Sequence, residues 1–457
     1  MMKYFCTCII IFIFFFSSIK AADTTSDSIA VDTAEQNCFS EKLPARKSWE
    51  YVVSSPLWIV TSPLYFTYRL IAAGIGFIDD HHLAEKLKNL LVLEDGSIKL
   101  NPYYSSSTGI GIICKKEELF NTDAQFKIAG SFGTLRRHGI ESSCTGVPLA
   151  RRRLFLDASA IYHHVPDEPF FGIGTQNSSD DEMAFSFNNV SALLALRASL
   201  TPSFDLFVAG VTDYYNLKGS DKEHTPSVPA MYSASELPTG FNSRAMFGGI
   251  MTGFIIDTRD CQGHTHHGTL FKAHTGFKQE LEIDRFNDNR TGRFGLQHIT
   301  ADFRYYEQLP WGKHRILVLR SAIEHRLPHK DKEIPVYFLS TLGEDGTIRG
   351  FTRGRFRDND YILGSVEYHY PIWEDIPNLL SAVLFCDAGQ VTPDIIHEFN
   401  ASKMHLGFGG GFRFYRKNNL IGALLFGFSK DDFRIEFSLG DESLTRILDI
   451  IRQYSEL

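Results

Sequence analysis

The sequence predicts an all-β fold, a transmembrane antiparallel β-barrel of about sixteen strands, preceded by a short helical segment and followed by a helical tail. Three observations support this prediction. Apolar and polar residues alternate with a period of two from about Ser107 to Gly440, as expected for strands with one apolar and one polar face. Aromatic residues make up 13% of the chain, with 38 Phe and 18 Tyr. The N-terminus has the features of an export signal.

Composition excludes several other classes of protein. The chain has 457 residues, 22% of them charged, and a formal net charge of −8. Beyond the N-terminus, no apolar stretch approaches the ~18–20 residues of a membrane-spanning helix, which excludes a polytopic helical membrane protein. The pI near 6.1 indicates no basic surface for nucleic acid. No cofactor is predicted either.

The first residues predict secretion. Lys3 is followed by the mostly apolar run Tyr4–Phe16 and then by small residues, which is the layout of a signal peptide. We predict that residues 1–22 are removed, with cleavage after Ala21 or Ala22. The five cysteines that then remain are scattered, so they indicate neither a disulfide scaffold nor a zinc site with CxxC spacing.

Two segments are predicted between the signal peptide and the barrel. Residues 23–42 are rich in Ser, Thr and Asp, which is typical of a flexible leader. Residues 43–104 predict short periplasmic helices, because Pro56 and Pro63 each follow a serine and open an apolar stretch. The run His82–Leu91 has the pattern of an amphipathic helix. These helices are expected to pack on a larger body or at the membrane interface, although packing in a soluble core fits equally well.

The barrel is predicted over residues 105–440. Alternation is clearest in Leu154–His163, His298–Tyr306 and Phe433–Leu439. Such segments recur about every 20 residues, whereas soluble sandwiches have shorter strands every ~8–12 residues. The many Phe and Tyr residues suit the aromatic girdles of a barrel in the bacterial outer membrane. Only a closed barrel of strands satisfies every backbone group in lipid.

Residues 441–457 predict a tail outside the barrel. This segment opens with Asp441 and has apolar residues at helical spacing, which indicates a short amphipathic helix on the periplasmic side.

A long loop and two strands carry the most specific pattern. Gly343–Asp358 has four arginines and no periodicity, and a loop of this length is usually functional or disordered. In the strands that follow, alternation places Glu367 and Asp387 on inward faces. Two inward carboxylates need a partner, and an arginine from the loop offers bidentate hydrogen bonds.

These residues resemble a known family. Ile348–Phe351 (IRGF) is similar to the (V/I)RGF motif in the sixth extracellular loop of BamA/TamA-type outer-membrane barrels, also described as the bacterial surface antigen domain. Glu367–Pro371 (EYHYP) and Phe385–Gly389 (FCDAG) resemble the ExxxP and FxDxG strand motifs of that family. The resemblance implies that the loop folds into the lumen and is latched there, with Arg349 meeting Glu367 and Asp387 and with two Phe rings around it. The predicted latch consists of Arg349, Gly350, Phe351, Glu367, Phe385, Asp387 and Gly389. A purely structural ion-pair network of the same residues is the alternative.

The resemblance also implies a role. It predicts insertion or translocation of proteins at the outer membrane, with membrane lipids, unfolded outer-membrane proteins and periplasmic factors as partners. Weak pairing between the first and last strands, predicted near Thr108–Lys116 and Phe433–Leu439, would let the barrel open. Assembly proteins of this family carry periplasmic POTRA modules, and residues 23–104 do not show their pattern. That difference favours the alternative of a passive channel or structural surface barrel.

Other candidate sites are weaker. His264, His266 and His267 lie in a polar turn, and His163 and His164 in a strand; solvated imidazoles are expected rather than a metal site. No motif singles out a Ser–His hydrolytic set, so no enzyme activity is predicted.

Overall fold

The computed structural model describes residues 92–93 and 98–439, except 106–108, 120–121, 134–135, 151–152, 223, 234, 242, 282–292, 311, 313, 345, 376–377 and 417–418. The predicted signal peptide, the leader, the helices up to residue 91 and the tail at 441–457 lie outside these residues. In the described part of the chain, no helix combines the length and apolarity needed to cross a membrane.

Sixteen antiparallel strands form a nearly closed barrel, which confirms the predicted fold class. A short strand at Val92–Leu93 precedes them, and a small hairpin of Ser340–Leu342 with Phe356–Asp358 lies within one loop. In chain order the strands are β1 (Val92–Leu93), β2 (Ile98–Ser105), β3 (Gly109–Leu119), β4 (Ala124–Phe132), β5 (His138–Ala150), β6 (Leu154–Phe170), β7 (Met183–Thr201), β8 (Phe204–Gly219), β9 (Arg244–Asp257), β10 (Gly268–Glu280), β11 (Gly295–Gln308), β12 (Ile316–Pro328), β13 (Ser340–Leu342), β14 (Phe356–Asp358), β15 (Asp360–Asp375), β16 (Asn378–Thr392), β17 (His405–Arg416), β18 (Asn419–Phe428) and β19 (Phe433–Leu439). The helices are α1 (Val228–Met231) and α2 (Ile395–Glu398).

The barrel begins earlier than predicted. The segment 43–104 was expected to be helical up to residue 104, but Ile98–Ser105 is the first barrel strand, and the predicted first strand near residue 108 is the second, β3. Strand β2 reads IKLNPYYS, where Ile98 and Leu100 alternate with Lys99 and Asn101 but Pro102 is untypical of a strand. Proline lacks an N–H to donate and is therefore confined to weakly paired edges of a sheet, which is where β2 lies.

The predicted alternation places polar groups in the lumen and apolar groups outside. In β11, His298, Thr300 and Asp302 are buried, whereas Ile299 is 55% exposed. In β19 the apolar set that includes Ile435 faces outward. The faces of these two strands are therefore as the sequence predicts.

The two ends of the barrel differ. At one end the connections are short, as between β7 and β8, and we call it the short-turn end. At the other, the long-loop end, residues 220–243 and 329–359 form extended connections. Strand β2 starts and strand β19 finishes at the short-turn end, because the number of barrel strands is even.

The connection at 329–359 folds into the lumen, and we call it the lumen loop. It is not irregular throughout, since β13 and β14 pair within it. Tyr337 of this loop stacks on Tyr215 of β8 with ring centroids 4.4 Å apart. Phe338 packs edge-on against Phe247 of β9. These rings belong to an apolar cluster of buried residues between β6 and β11, so the lumen loop packs against that part of the wall.

One junction in the wall is much weaker than the others. Among the described residues, β19 and β2 pair at two positions, Ser438 with Ser105 and Leu439 with Tyr104. Strands β18 and β19 pair along the whole of β19. On the outer face of the barrel, the ring centroids of Tyr104 in β2 and Phe437 in β19 lie 5.6 Å apart. We call the β2–β19 junction the seam.

The lipid-facing surface makes a prediction that depends on depth. Leu194 lies near the middle of β7 and is 56% exposed, whereas Leu200 lies near its short-turn end and is 51% exposed. Leu194→Arg should lower the free energy of unfolding in lipid by about 2–4 kcal/mol, and Leu200→Arg by only about 0–1 kcal/mol, because a charge costs most at the bilayer midplane. Urea titration of the barrel refolded in vesicles measures both. Equal decreases in the free energy of unfolding for the two variants would contradict the assigned depths of Leu194 and Leu200 in the bilayer.

Candidate functional site

Arg349, near the tip of the lumen loop, binds Asp387 of β16 through three hydrogen bonds. Its Nε donates to Oδ2 at 2.8 Å, its Nη2 to Oδ1 at 2.7 Å and its backbone N–H to Oδ2 at 3.1 Å. Both side chains are buried, Asp387 completely. Two parallel N–H···O contacts between charged groups are stronger than neutral hydrogen bonds and fix the orientation of both side chains.

A second carboxylate completes the cluster. Glu367 of β15 accepts hydrogen bonds from Arg349 Nη1, from Arg413 Nη1 at 2.9 Å and from His369 Nε2 at 2.9 Å. Strands β15 and β16 are paired so that Ser365 lies opposite Asp387, and the Ser365 hydroxyl donates to Asp387 Oδ1 at 2.6 Å. We call Arg349, Ser365, Glu367, His369, Asp387 and Arg413 the arginine cluster.

Charge balance explains why this cluster is buried. Two guanidinium groups, of Arg349 and Arg413, face two carboxylates. Burial alone would lower the pKa of Arg349, but the hydrogen bonds to Asp387 and the charge of Glu367 raise it above its usual value. The guanidinium therefore stays charged. A carboxylate left without its partner here would carry the full cost of desolvation.

Apolar and glycine contacts hold the loop tip against the wall. The guanidinium carbon of Arg349 lies 3.7 Å from the centroid of the Phe385 ring. Phe351 lies instead in an adjacent apolar cluster, 5.2 Å from the ring of Phe356. Gly350 has a φ of +91°, which side chains rarely adopt. On the wall, a Cβ at Gly389 would lie 2.8 Å from Ile348 Cδ1.

The structure thus brings together Arg349, Glu367, Phe385 and Asp387, with Gly350 and Gly389 at the contact between loop and wall. The sequence motifs missed Arg413. The alternation of faces along β17 could have placed Arg413 in the lumen, because it shares one face with Gly407, Gly409 and Gly411.

The loop tip also reaches the last strand hairpin. Ser429, between β18 and β19, donates to the Gly350 carbonyl at 2.8 Å. Arg355 donates to Asp431 at 2.7 Å, and Arg434 of β19 donates to the Thr352 hydroxyl. The lumen loop therefore connects the β15–β16 wall to the strand that borders the seam.

The histidines of the short-turn end differ from expectation. His264 and His266 were expected to be solvated, but they are 2% and 5% exposed, because the β9–β10 turn folds inward. Burial, followed by the neighbouring His266 and His314, lowers the pKa of His264 well below its usual value. His267 is exposed. His163 and His164 bind Glu141 and Asn188 in the wall.

Comparison with known proteins identifies the domain. Residues 119–416 match the model of the Omp85 superfamily domain. Among solved structures, a Haemophilus ducreyi BamA lacking POTRA domains 1–3 is similar at 15% identity and a TM-score of 0.52, over 76% of this chain and 70% of that one. CdiB from Escherichia coli is similar at 11% identity and a TM-score of 0.50, over 76% of this chain and 63% of that one. No curated protein sequence matches. At these identities the two structures support the fold.

The arginine cluster makes a stability prediction. Arg349→Ala should lower the free energy of unfolding by about 3–5 kcal/mol, because it leaves the buried Asp387 carboxylate without its partner. Arg293→Ala is the control. Its ion pair with Glu333 is exposed, with 39% and 47% of the two side chains accessible, so its removal should cost about 0–1 kcal/mol. Urea unfolding of the purified barrels in detergent measures both, and equal midpoints for the two variants would contradict a buried, charge-balanced cluster.

Proposed function

Because the chain belongs to the Omp85 superfamily, we propose that it inserts proteins into the outer membrane or translocates them across it. Barrels of this superfamily are transporters or assembly factors of the bacterial outer membrane, where this protein is located. The short-turn end of such a barrel faces the periplasm and the long loops face outward. The proposed partners are unfolded outer-membrane proteins, membrane lipids and periplasmic factors.

The seam is the observation that carries this proposal. Over the described residues, β2 and β19 share two paired positions. A strand edge with unpaired N–H and C=O groups is a template for another strand. Since such an edge is costly in lipid, an incoming strand that pairs with it gains hydrogen bonds on both sides. The seam therefore suits strand-by-strand insertion of a client.

The lumen loop disfavours the passive channel. Ile348 and Phe356 of this loop are completely buried, and so is Arg357, all within the barrel. A pore would need this loop to leave. We propose that the arginine cluster acts as a latch that keeps the loop inside, so that substrates use the seam rather than an open lumen.

Depletion of the protein in its native bacterium tests the proposed function. We expect folded outer-membrane barrels to decrease and their precursors to accumulate in the periplasm. Wild-type protein should restore them. A variant with cysteines in place of Ser105 and Ser438, which lie opposite each other across the seam, should restore them only under reducing conditions, because the disulfide would hold the seam closed.

The control joins two wall strands far from the seam. Ala192 of β7 and Thr212 of β8 are paired, and the double cysteine variant at these positions should complement depletion with or without reductant. An unaltered barrel profile on depletion would refute the assembly function. Full complementation by the oxidised seam variant would refute the seam as the route.

A further inference from the structure

Three buried histidines converge at the periplasmic end of the lumen. His264 and His266 come from the β9–β10 turn and His314 from the β11–β12 turn. Each offers a ring nitrogen, and these three atoms all lie within 4.8 Å of one another. The rings of His264 and His266 are 4.5 Å apart, and those of His266 and His314 are 5.0 Å apart. All three residues are 5% exposed or less.

The spacing is close to that of a metal site. His266 Nε2 and His314 Nδ1 share a hydrogen bond of 2.9 Å, and a metal ion bound between them would displace its proton. Around a tetrahedral metal with M–N bonds of about 2.0–2.1 Å, ligand nitrogens are about 3.3 Å apart. Small rotations of the rings would bring these atoms to that separation. Imidazole nitrogens suit Zn²⁺, Cu²⁺ and Ni²⁺.

Asp260 binds His266 on the side of the ring that faces away from His314. Its Oδ2 lies 3.0 Å from His266 Nδ1, and its Oδ1 accepts the backbone N–H groups of His266 at 2.9 Å and His267 at 3.2 Å. An Asp that accepts from Nδ1–H leaves the Nε2 lone pair pointing at His314. Carboxylates in this position orient ligand histidines in metal sites. Cys261 is adjacent but disulfide-bonded, so we do not count it as a ligand.

We propose that His264, His266 and His314 form a binding site for a divalent transition metal, with Zn²⁺ as the first candidate and Asp260 as a positioning residue. Three histidines leave a fourth position for water or another ligand.

The site also contacts strand β17 of the barrel wall. The ring of His264 packs on Tyr415 of β17, with centroids 4.5 Å apart. Tyr415 is two residues from Arg413 of the arginine cluster. A bound metal would fix the β9–β10 turn to the β11–β12 turn and hold it across the lumen, at the end opposite to the lumen loop. The site does not depend on the proposed function.

The test uses untagged full-length protein in detergent, stripped of metal and then dialysed against Zn²⁺. Mass spectrometric metal analysis should find about one Zn²⁺ per chain. His266→Gln and His314→Gln should each weaken binding at least tenfold, and Asp260→Asn by about 10–100-fold. His267→Gln is the matched control, because His267 is exposed in the same turn. It should bind like wild type.

Each variant is first checked for folding by its heat-modifiable migration on gels. If a histidine variant does not fold, Cu²⁺ bound to wild-type protein supplies the second measurement. Its electron paramagnetic resonance spectrum should show coupling to several imidazole nitrogens. The proposal is overturned if wild type binds no Zn²⁺, if His266→Gln and His314→Gln bind like wild type, if His267→Gln loses binding equally, or if the Cu²⁺ spectrum shows oxygen ligands alone.

Discussion

The interaction on which the interior depends is the buried ion cluster between Arg349 of the lumen loop and the carboxylates of Asp387 and Glu367. Neither side of this cluster is tolerable alone. Without the Arg349 side chain, the buried Asp387 would lose the guanidinium that it binds, and Glu367 would keep Arg413 as its guanidinium partner; without the two carboxylates, Arg349 would be a buried guanidinium without an acidic partner. This mutual requirement favours one position of the loop tip, against β15 and β16.

This placement connects two features that are far apart in the sequence. The loop tip is bound to β15 and β16 through the arginine cluster, and to the β18–β19 hairpin through Ser429 and Asp431. Strand β19 in turn borders the seam. A movement of the loop would therefore change the contacts that hold β19, whose edge at the seam has two paired positions among the described residues. One loop thus contacts both the arginine cluster and the hairpin whose second strand borders the seam.

The sequence predicted the barrel and the facing carboxylates because both depend on local alternation, which fixes the face of each strand. Glu367 and Asp387 followed from parity, and Arg349 from resemblance to a family motif. Strand β2 was missed because its alternation is short and Pro102 interrupts it. His314 could not be joined to His264 and His266 from spacing alone, since two strands, β10 and β11, separate the turns that carry them. Only strand pairing brings those turns to the same end of the barrel.

Ion conductance tests the proposal that the arginine cluster holds the lumen loop in place as a plug. Purified wild-type barrel in a planar bilayer should show little conductance, whereas Arg349→Ala should show frequent or sustained openings, because the loop is then free to leave the lumen. Arg293→Ala, which removes only an exposed ion pair, should behave like wild type. A wild-type barrel with a stable open pore, or an Arg349→Ala variant as closed as wild type, would contradict a plug held by the arginine cluster.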